Sequence, residues 1–166
     1  MTCYENYPAR YVVSNFAQLG AVALVGLMIM AQVGWWAAGL YGLFGGVGAI
    51  LSMAWGCTRC HYYGRMCGLA FGRLAALGFE KRAETEFGRS PSQTLAWSLV
   101  GLALALPLVA GLILLSTSPT LSTVVLTPVY LVLVVVIALT HSRLVCGRCL
   151  MGKQGLCRLG RVTRPT

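Results

Sequence analysis

The chain has 166 residues, of which 57% are hydrophobic and only 10% charged, well below the roughly 25% charge of an ordinary soluble domain. Its formal net charge of +9 is confined to short polar segments, which argues against nucleic-acid binding, since that needs a basic face on a soluble domain. The chain has no Asp, and Glu5, Glu80, Glu84 and Glu86 all lie in polar segments, so a carboxylate pair, a Ser-His-Asp set and a phosphate-cradling Gly-Lys-Ser/Thr loop are unsupported and the chain leans away from an enzyme.

No Asp, Glu, Lys or Arg occurs from Tyr11 to Thr58, or from Ser90 to Ser142. Each window is more than twice the roughly 20 apolar residues that cross a hydrocarbon core. Each is therefore expected to hold two membrane-spanning helices: Tyr11–Val33, Ala37–Gly56, Thr94–Leu115 and Leu121–His141. A signal peptide fits the first segment poorly, because its apolar run is too long and only Arg10 precedes it.

Orientation follows from the basic residues. Arg10 precedes the first segment. Arg59, Arg65, Arg73, Lys81, Arg82 and Arg89 separate the second from the third, and Arg143, Arg148, Lys153, Arg158, Arg161 and Arg164 follow the fourth. The connections around "GWWAAG" and "STSPTLST" carry no charge. Positive residues remain cytoplasmic, so both termini and the middle loop are expected inside the plasma (inner) membrane. The expected fold is all-α: an integral membrane four-helix bundle of two helical hairpins, N-in and C-in, with the lipid bilayer as its main partner. It reads as one membrane domain over 1–166. Hairpin 11–56 runs into a cysteine segment 57–67, a loop spans 68–93, and hairpin 94–141 runs into a second segment 142–166.

Within this plan, Asn15, Gln18 and Gln32 are expected to hydrogen-bond between helices, and Met28, Met30 and Met53 to pack. Trp35 and Trp36 suit an aromatic belt. Gly34, Ala38, Gly42 and Gly46, with Gly45 and Ala49 beside them, predict a close-packing face on the second helix. Leu69, Phe71, Leu74, Leu77 and Phe79 predict a short interfacial helix, with Arg73 and Lys81 toward headgroups. Ser90 or Ser92 should cap the third spanning helix, with Pro91 in its first turn and a kink at Pro107. The β-branched fourth helix is expected to face lipid.

The chemistry lies in the cysteines. Cys57-x-x-Cys60-x6-Cys67 follows the second crossing and Cys146-x-x-Cys149-x7-Cys157 follows the fourth, while Cys3 lies in the N-terminal tail. Two units of the same orientation would bring both segments to one face. In the cytosol stable disulfides are disfavoured, so clustered thiols point to metal ligation. A Cys-x-x-Cys turn aims two sulfurs at one point, as tetrahedral Zn²⁺ requires. Helix C-termini oppose a bare thiolate, and a cation would remove that penalty, with Arg59, Arg65, Arg148, Lys153 and Arg158 balancing excess negative charge. Either one centre joins Cys57, Cys60, Cys146 and Cys149, or each segment forms its own, completed by Cys3, His61 or His141. An iron–sulfur cluster is the competing cofactor, although the close-spaced ferredoxin run is absent. Tyr62 and Tyr63 read as interfacial anchors with wet hydroxyls.

"CTRCHYYGRMCGLAFGRL" resembles the Cys-x-x-Cys-x-Tyr-Tyr-Gly-x-x-Cys element of small, uncharacterised four-helix membrane proteins of prokaryotes. Those carry a second cysteine segment after the last helix, introduced by His and Arg; His141, Arg143 and Cys146 match it. The gap before Cys157 is longer than in that pattern. The resemblance implies the architecture and a grouped metal site, and brings no activity. Three functions follow: a zinc-stabilised scaffold or accessory subunit for another membrane or cytoplasmic protein, a membrane redox protein using an iron–sulfur relay or thiol–disulfide exchange, and soft-metal handling or transport.

Overall fold

The computed structural model describes residues 3–153. In chain order the helices are α1 (Ala9–Val33), α2 (Trp35–Trp55), α3 (Phe71–Gly78), α4 (Pro91–Thr117), α5 (Leu121–Thr140) and the short α6 (Leu150–Lys153). Four helical spans, built on α1, α2, α4 and α5, are long and apolar enough to cross a membrane. No strand occurs among the described residues.

The four long helices pack side by side. The pairs α1–α2, α2–α4, α4–α5 and α5–α1 are all in contact, and α1 also touches α4 across the group. Little of their surface is buried between them. Leu24, Leu43, Ile113 and Val132 are each more than half exposed, an outward apolar coat that suits lipid. Inside, Met30, Ala37, Tyr41 and Ala103 form one cluster, and Val22, Ile29 and Tyr130 another.

Helices α1 and α2 are joined by Gly34 alone. Its carbonyl starts α2 by accepting from Ala37 and Ala38, while its own N–H closes α1 on the Met30 carbonyl. Its φ of +156° favours glycine, and a Cβ there would stand 2.7 Å from Trp36 Nε1. Trp35 and Trp36 are exposed beside this turn.

The glycine stripe expected to pack inside α2 faces outward instead. A Cβ placed on Gly42, Gly45 or Gly46 would meet nothing within 4 Å. The buried face of α2 is Ala37, Tyr41 and Gly48. Tyr41 decides this orientation: its ring is housed against Gly26 of α1, while Gly48 receives Val100 of α4. Ala38 is partly buried against the same cluster.

Polar side chains of α1 bond to other elements, as expected in lipid. Asn15 Nδ2 donates to the Gly68 carbonyl at 3.0 Å, Gln18 Oε1 accepts from Thr140 of α5 at 2.8 Å, and Gln32 Oε1 accepts from Ser122 at 3.1 Å. Met30 is buried, whereas Met28 is exposed. One turn before Pro107, the Leu104 carbonyl accepts the Tyr130 hydroxyl at 2.8 Å, so the backbone near the helix-breaking residue has a partner.

Ser90 is the N-cap of α4 and Pro91 its first residue, but the Ser90 side chain makes no capping bond; it lies 2.6 Å from Ser92 Oγ. A true capping box occurs at α5, where Thr120 and Thr123 exchange side-chain and backbone bonds. Helix α3 buries Gly72 and Ala75 and leaves Leu74 and Leu77 exposed, Leu77 by 82%.

Candidate metal site at the cysteine-bearing end

Both cysteine segments use the same local fold. Cys57–Arg59 and Cys146–Arg148 are single 3₁₀ turns, and each next cysteine is extended: Cys60 at φ −90°, ψ 146° and Cys149 at φ −84°, ψ 130°. In each turn the N–H of the second cysteine donates to the carbonyl of the first. The sequence signal is Cys-x-Arg-Cys, present twice as "CTRC" and "CGRC". Helix α2 runs almost directly into its turn, whereas a π-helical turn, His141–Val145, separates α5 from the second one.

The two segments, 89 positions apart by their first cysteines (146 minus 57), meet at one end of the helix group. Cys60, Cys67 and Cys149 pack with Met66, Val145 and Leu150 around buried Tyr7, Val12 and Tyr62. Gly68 lies so close to Val145 that a Cβ would come within 2.6 Å of it.

The N-terminal tail is threaded between them. Tyr4 N–H donates to the Arg148 carbonyl at 3.4 Å, and Tyr7 N–H donates to the Met66 carbonyl at 2.9 Å. The Tyr7 hydroxyl donates to the Val145 carbonyl at 2.7 Å. Arg148 Nη1 donates to the Tyr4 hydroxyl at 2.7 Å and lies over the Tyr4 ring. Tyr62 is the node: its hydroxyl donates to the Tyr4 carbonyl at 2.6 Å and accepts from Leu150 N–H at 3.3 Å.

This corrects the reading of Tyr62 as a wet anchor, since it is only 2% exposed. Burial in lipid-like surroundings would be costly without those two bonds. Tyr63 is also engaged, donating to the Phe79 carbonyl. Two expected counter-charges are occupied elsewhere. Arg59 is buried, donating from Nε to Glu86 at 2.9 Å and from Nη1 to the Trp55 carbonyl at 2.7 Å, so it neutralises the C-terminal end of α2. Arg148 is held by the tyrosines.

The sulfurs of Cys57, Cys60 and Cys67 lie within electrostatic reach of one another, and Cys149 acts on Cys60 from the second segment. Cys3, Cys60 and Cys149 all act on Tyr62. Cys3, Cys57, Cys60 and Cys67 are not in disulfides. Cys67 Sγ accepts from Gly72 N–H at 3.4 Å. His61 stacks edge-on against Tyr62 with Nδ1 3.7 Å from Glu84, which also pairs with Lys81 at 3.1 Å. His141 opens the π-helical turn and is half-buried. Cys157 and Arg158 lie outside the described residues.

Burial, with smaller contributions from Cys149, Cys67 and Glu84, pushes the Cys60 thiol up to about 12. Burial likewise pushes the Tyr62 hydroxyl up to about 12 and raises Tyr7. In the bare protein Cys60 is thus a protonated thiol, unlike the low-pKa thiolate of a thioredoxin-type pair. The donor chemistry suits a borderline-soft cation that displaces the protons. The side chains as they stand do not converge: among the described residues no group of three or more His, Cys, Asp or Glu is arranged to hold a metal ion.

Comparison of the chain with protein-family models, with curated proteins and with solved structures finds no match.

Proposed function

We propose that this is an integral membrane protein whose cysteine-bearing end is a cytoplasmic, zinc-binding centre, and that this centre serves as a scaffold or accessory surface for another protein. The observation that carries the reading is the packing of Cys60, Cys67 and Cys149, from both segments, around Tyr7 and Tyr62. Thiols gathered from distant parts of a chain on the reducing side of a membrane have metal ligation as their main stable use. In this reading α1–α2 and α4–α5 are two hairpins with both termini inside the plasma membrane, a placement that the distribution of Arg and Lys supports. Helix α3 then lies in the headgroup layer, with Leu77 toward the acyl chains and Arg73 toward anionic headgroups.

The zinc ligands are drawn from Cys57, Cys60, Cys67, Cys146, Cys149 and Cys157, with His61 and Cys3 as additional donors. Because burial holds the Cys60 thiol in its protonated form, binding there would release a proton. A bound zinc ion would add bonds between the two segments. The chain's own contribution is the tyrosine-lined packing that keeps them adjacent.

Anaerobic purification followed by assays for zinc, iron, copper and labile sulfide tests this. Stoichiometric zinc is the expected result. A brown preparation with iron and sulfide replaces the scaffold reading with a redox one, and copper replaces it with soft-metal handling.

A further inference from the structure

Among the described residues, three buried side-chain atoms have no hydrogen-bond partner: Ser52 Oγ, Gln93 Nε2 and Thr127 Oγ1. Thr127 sits against Gly111, in the contact between α5 and α4. The other two belong to one seam between α2 and α4. Gly48 of α2 packs on α4, where a Cβ would stand 3.3 Å from a Val100 methyl. About two turns further on, a Cβ on Gly56 would stand 3.6 Å from Gln93 Nε2. Ser52 lies midway between these glycines and on the same helix face. Gln93 is 1% exposed, and its orientation is fixed. Its Oε1 accepts from the Gly88 N–H at 2.7 Å, which leaves the NH₂ end directed at Gly56. The Ser52 carbonyl, which takes the Gly56 N–H at 2.9 Å, stands 2.7 Å from the same Cβ position and keeps a second lone pair. Glycine at 56 thus makes a corner lined by an amide donor and a carbonyl acceptor, with the Ser52 hydroxyl on the adjoining turn.

We propose that this corner binds one water molecule, held by Ser52 Oγ and Gln93 Nε2 with the Ser52 carbonyl as third partner. The donor set selects the ligand. An amide NH₂ only donates and repels a cation, and a carbonyl only accepts and repels an anion. A small neutral molecule that both accepts and donates satisfies the two, and a hydroxyl suits either role. Buried waters take about 2–4 such partners, and a hydroxyl and an amide sealed from solvent are each costly without one. The water ties the last turn of α2 to the first turn of α4 immediately before Cys57. The backbone of Gly56 has a φ of −98°, which any residue adopts, so glycine is needed there for room. The site stands whether or not the cysteines carry a metal.

The test uses the full-length protein. Thermal unfolding in detergent is measured for the natural chain, Ser52→Ala, Gln93→Met and the double variant, and a crystal structure of the natural chain is determined at a resolution that shows ordered water. Each single variant should lower the unfolding temperature by roughly 2–4 °C, the shift that loss of one net hydrogen bond gives in a chain of this size. The double variant should lose little more than the worse single one, because both act on one bridge. Density for one water within hydrogen-bond distance of Ser52 Oγ and Gln93 Nε2 is expected. If Ser52→Ala holds or raises stability, or the two losses add in full, the hydroxyl and the amide share no ligand and the proposal is overturned. Coupled losses with Ser52 Oγ bonded directly to Gln93 Nε2 and no water between them overturn it equally. Should Gln93→Met fail to fold, Ser52→Ala and the density decide the matter.

Discussion

The hydroxyl of Tyr62 donates to the carbonyl of Tyr4 at 2.6 Å, joining the first cysteine segment to a residue 58 positions earlier. Because Leu150 N–H also donates to this oxygen, Tyr62→Phe strands a carbonyl and an amide at once. Leaving a buried polar group unpaired costs about 1–3 kcal/mol. Thermal unfolding in detergent should show Tyr62→Phe destabilised on that scale, while Tyr11→Phe, whose ring is partly exposed, should change little.

The glycines separate into two kinds. A Cβ on Gly72 would lie 2.1 Å from the Tyr62 carbonyl oxygen, which is backbone and cannot move aside cheaply. Gly72→Ala should destabilise by about 1–3 kcal/mol or more, as overpacking does. Gly46→Ala on the open face of α2 should be neutral or slightly stabilising, because alanine is the better helix former by up to about 1 kcal/mol. Equal losses in denaturation midpoint for the two variants would contradict this division.

Thr127 Oγ1 is buried in α5 without a hydrogen-bond partner and sits against Gly111 of α4. Thr127→Val exchanges an unpaired hydroxyl for a methyl of similar size, so stability should hold or rise. A drop of more than about 1 kcal/mol, the scale of one net hydrogen bond, would show that the hydroxyl has a partner.

The Cys60 thiol, pushed up to about 12 mainly by burial, gives the metal-free protein a pH dependence of definite sign. An unfolded cysteine titrates near ~8.5, so the folded chain holds its proton more tightly. The stabilisation is fully present below that value and is lost as pH rises toward 12. Denaturant unfolding of metal-free protein should show stability flat near neutrality and falling through the alkaline range, and Cys60→Ser should flatten that fall. Zinc-loaded protein should instead lose its metal on acidification, as protons compete for the thiolates.

The long apolar helices were legible because length and absence of charge are one-dimensional properties, and Tyr11–Val33 against the observed Ala9–Val33 differs only in its first two residues. The short helix at Phe71–Gly78 was legible from the spacing of Phe71, Leu74 and Leu77. The α2 glycines misled because a four-residue spacing of small residues looks the same whether it faces a neighbour or lipid. The direction was set by Tyr41, whose need for room against Gly26 leaves no periodic trace. The tail strap was hidden for a similar reason. Tyr4, Tyr7 and Tyr62 bond to backbone carbonyls, which every residue carries, so no partner residue type marks them. Arg59 was read as a counter-charge for thiolates, yet it reaches back four residues to the Trp55 carbonyl. The repeated Cys-x-Arg-Cys turn was the available clue that both arginines have a local structural task.

X-ray absorption at the zinc edge of the anaerobically purified protein tests the central claim most directly. The account predicts stoichiometric zinc with a ligand shell dominated by sulfur at about 2.3 Å. A shell made only of oxygen and nitrogen near ~2.0–2.1 Å, or protein that carries no zinc, would contradict it.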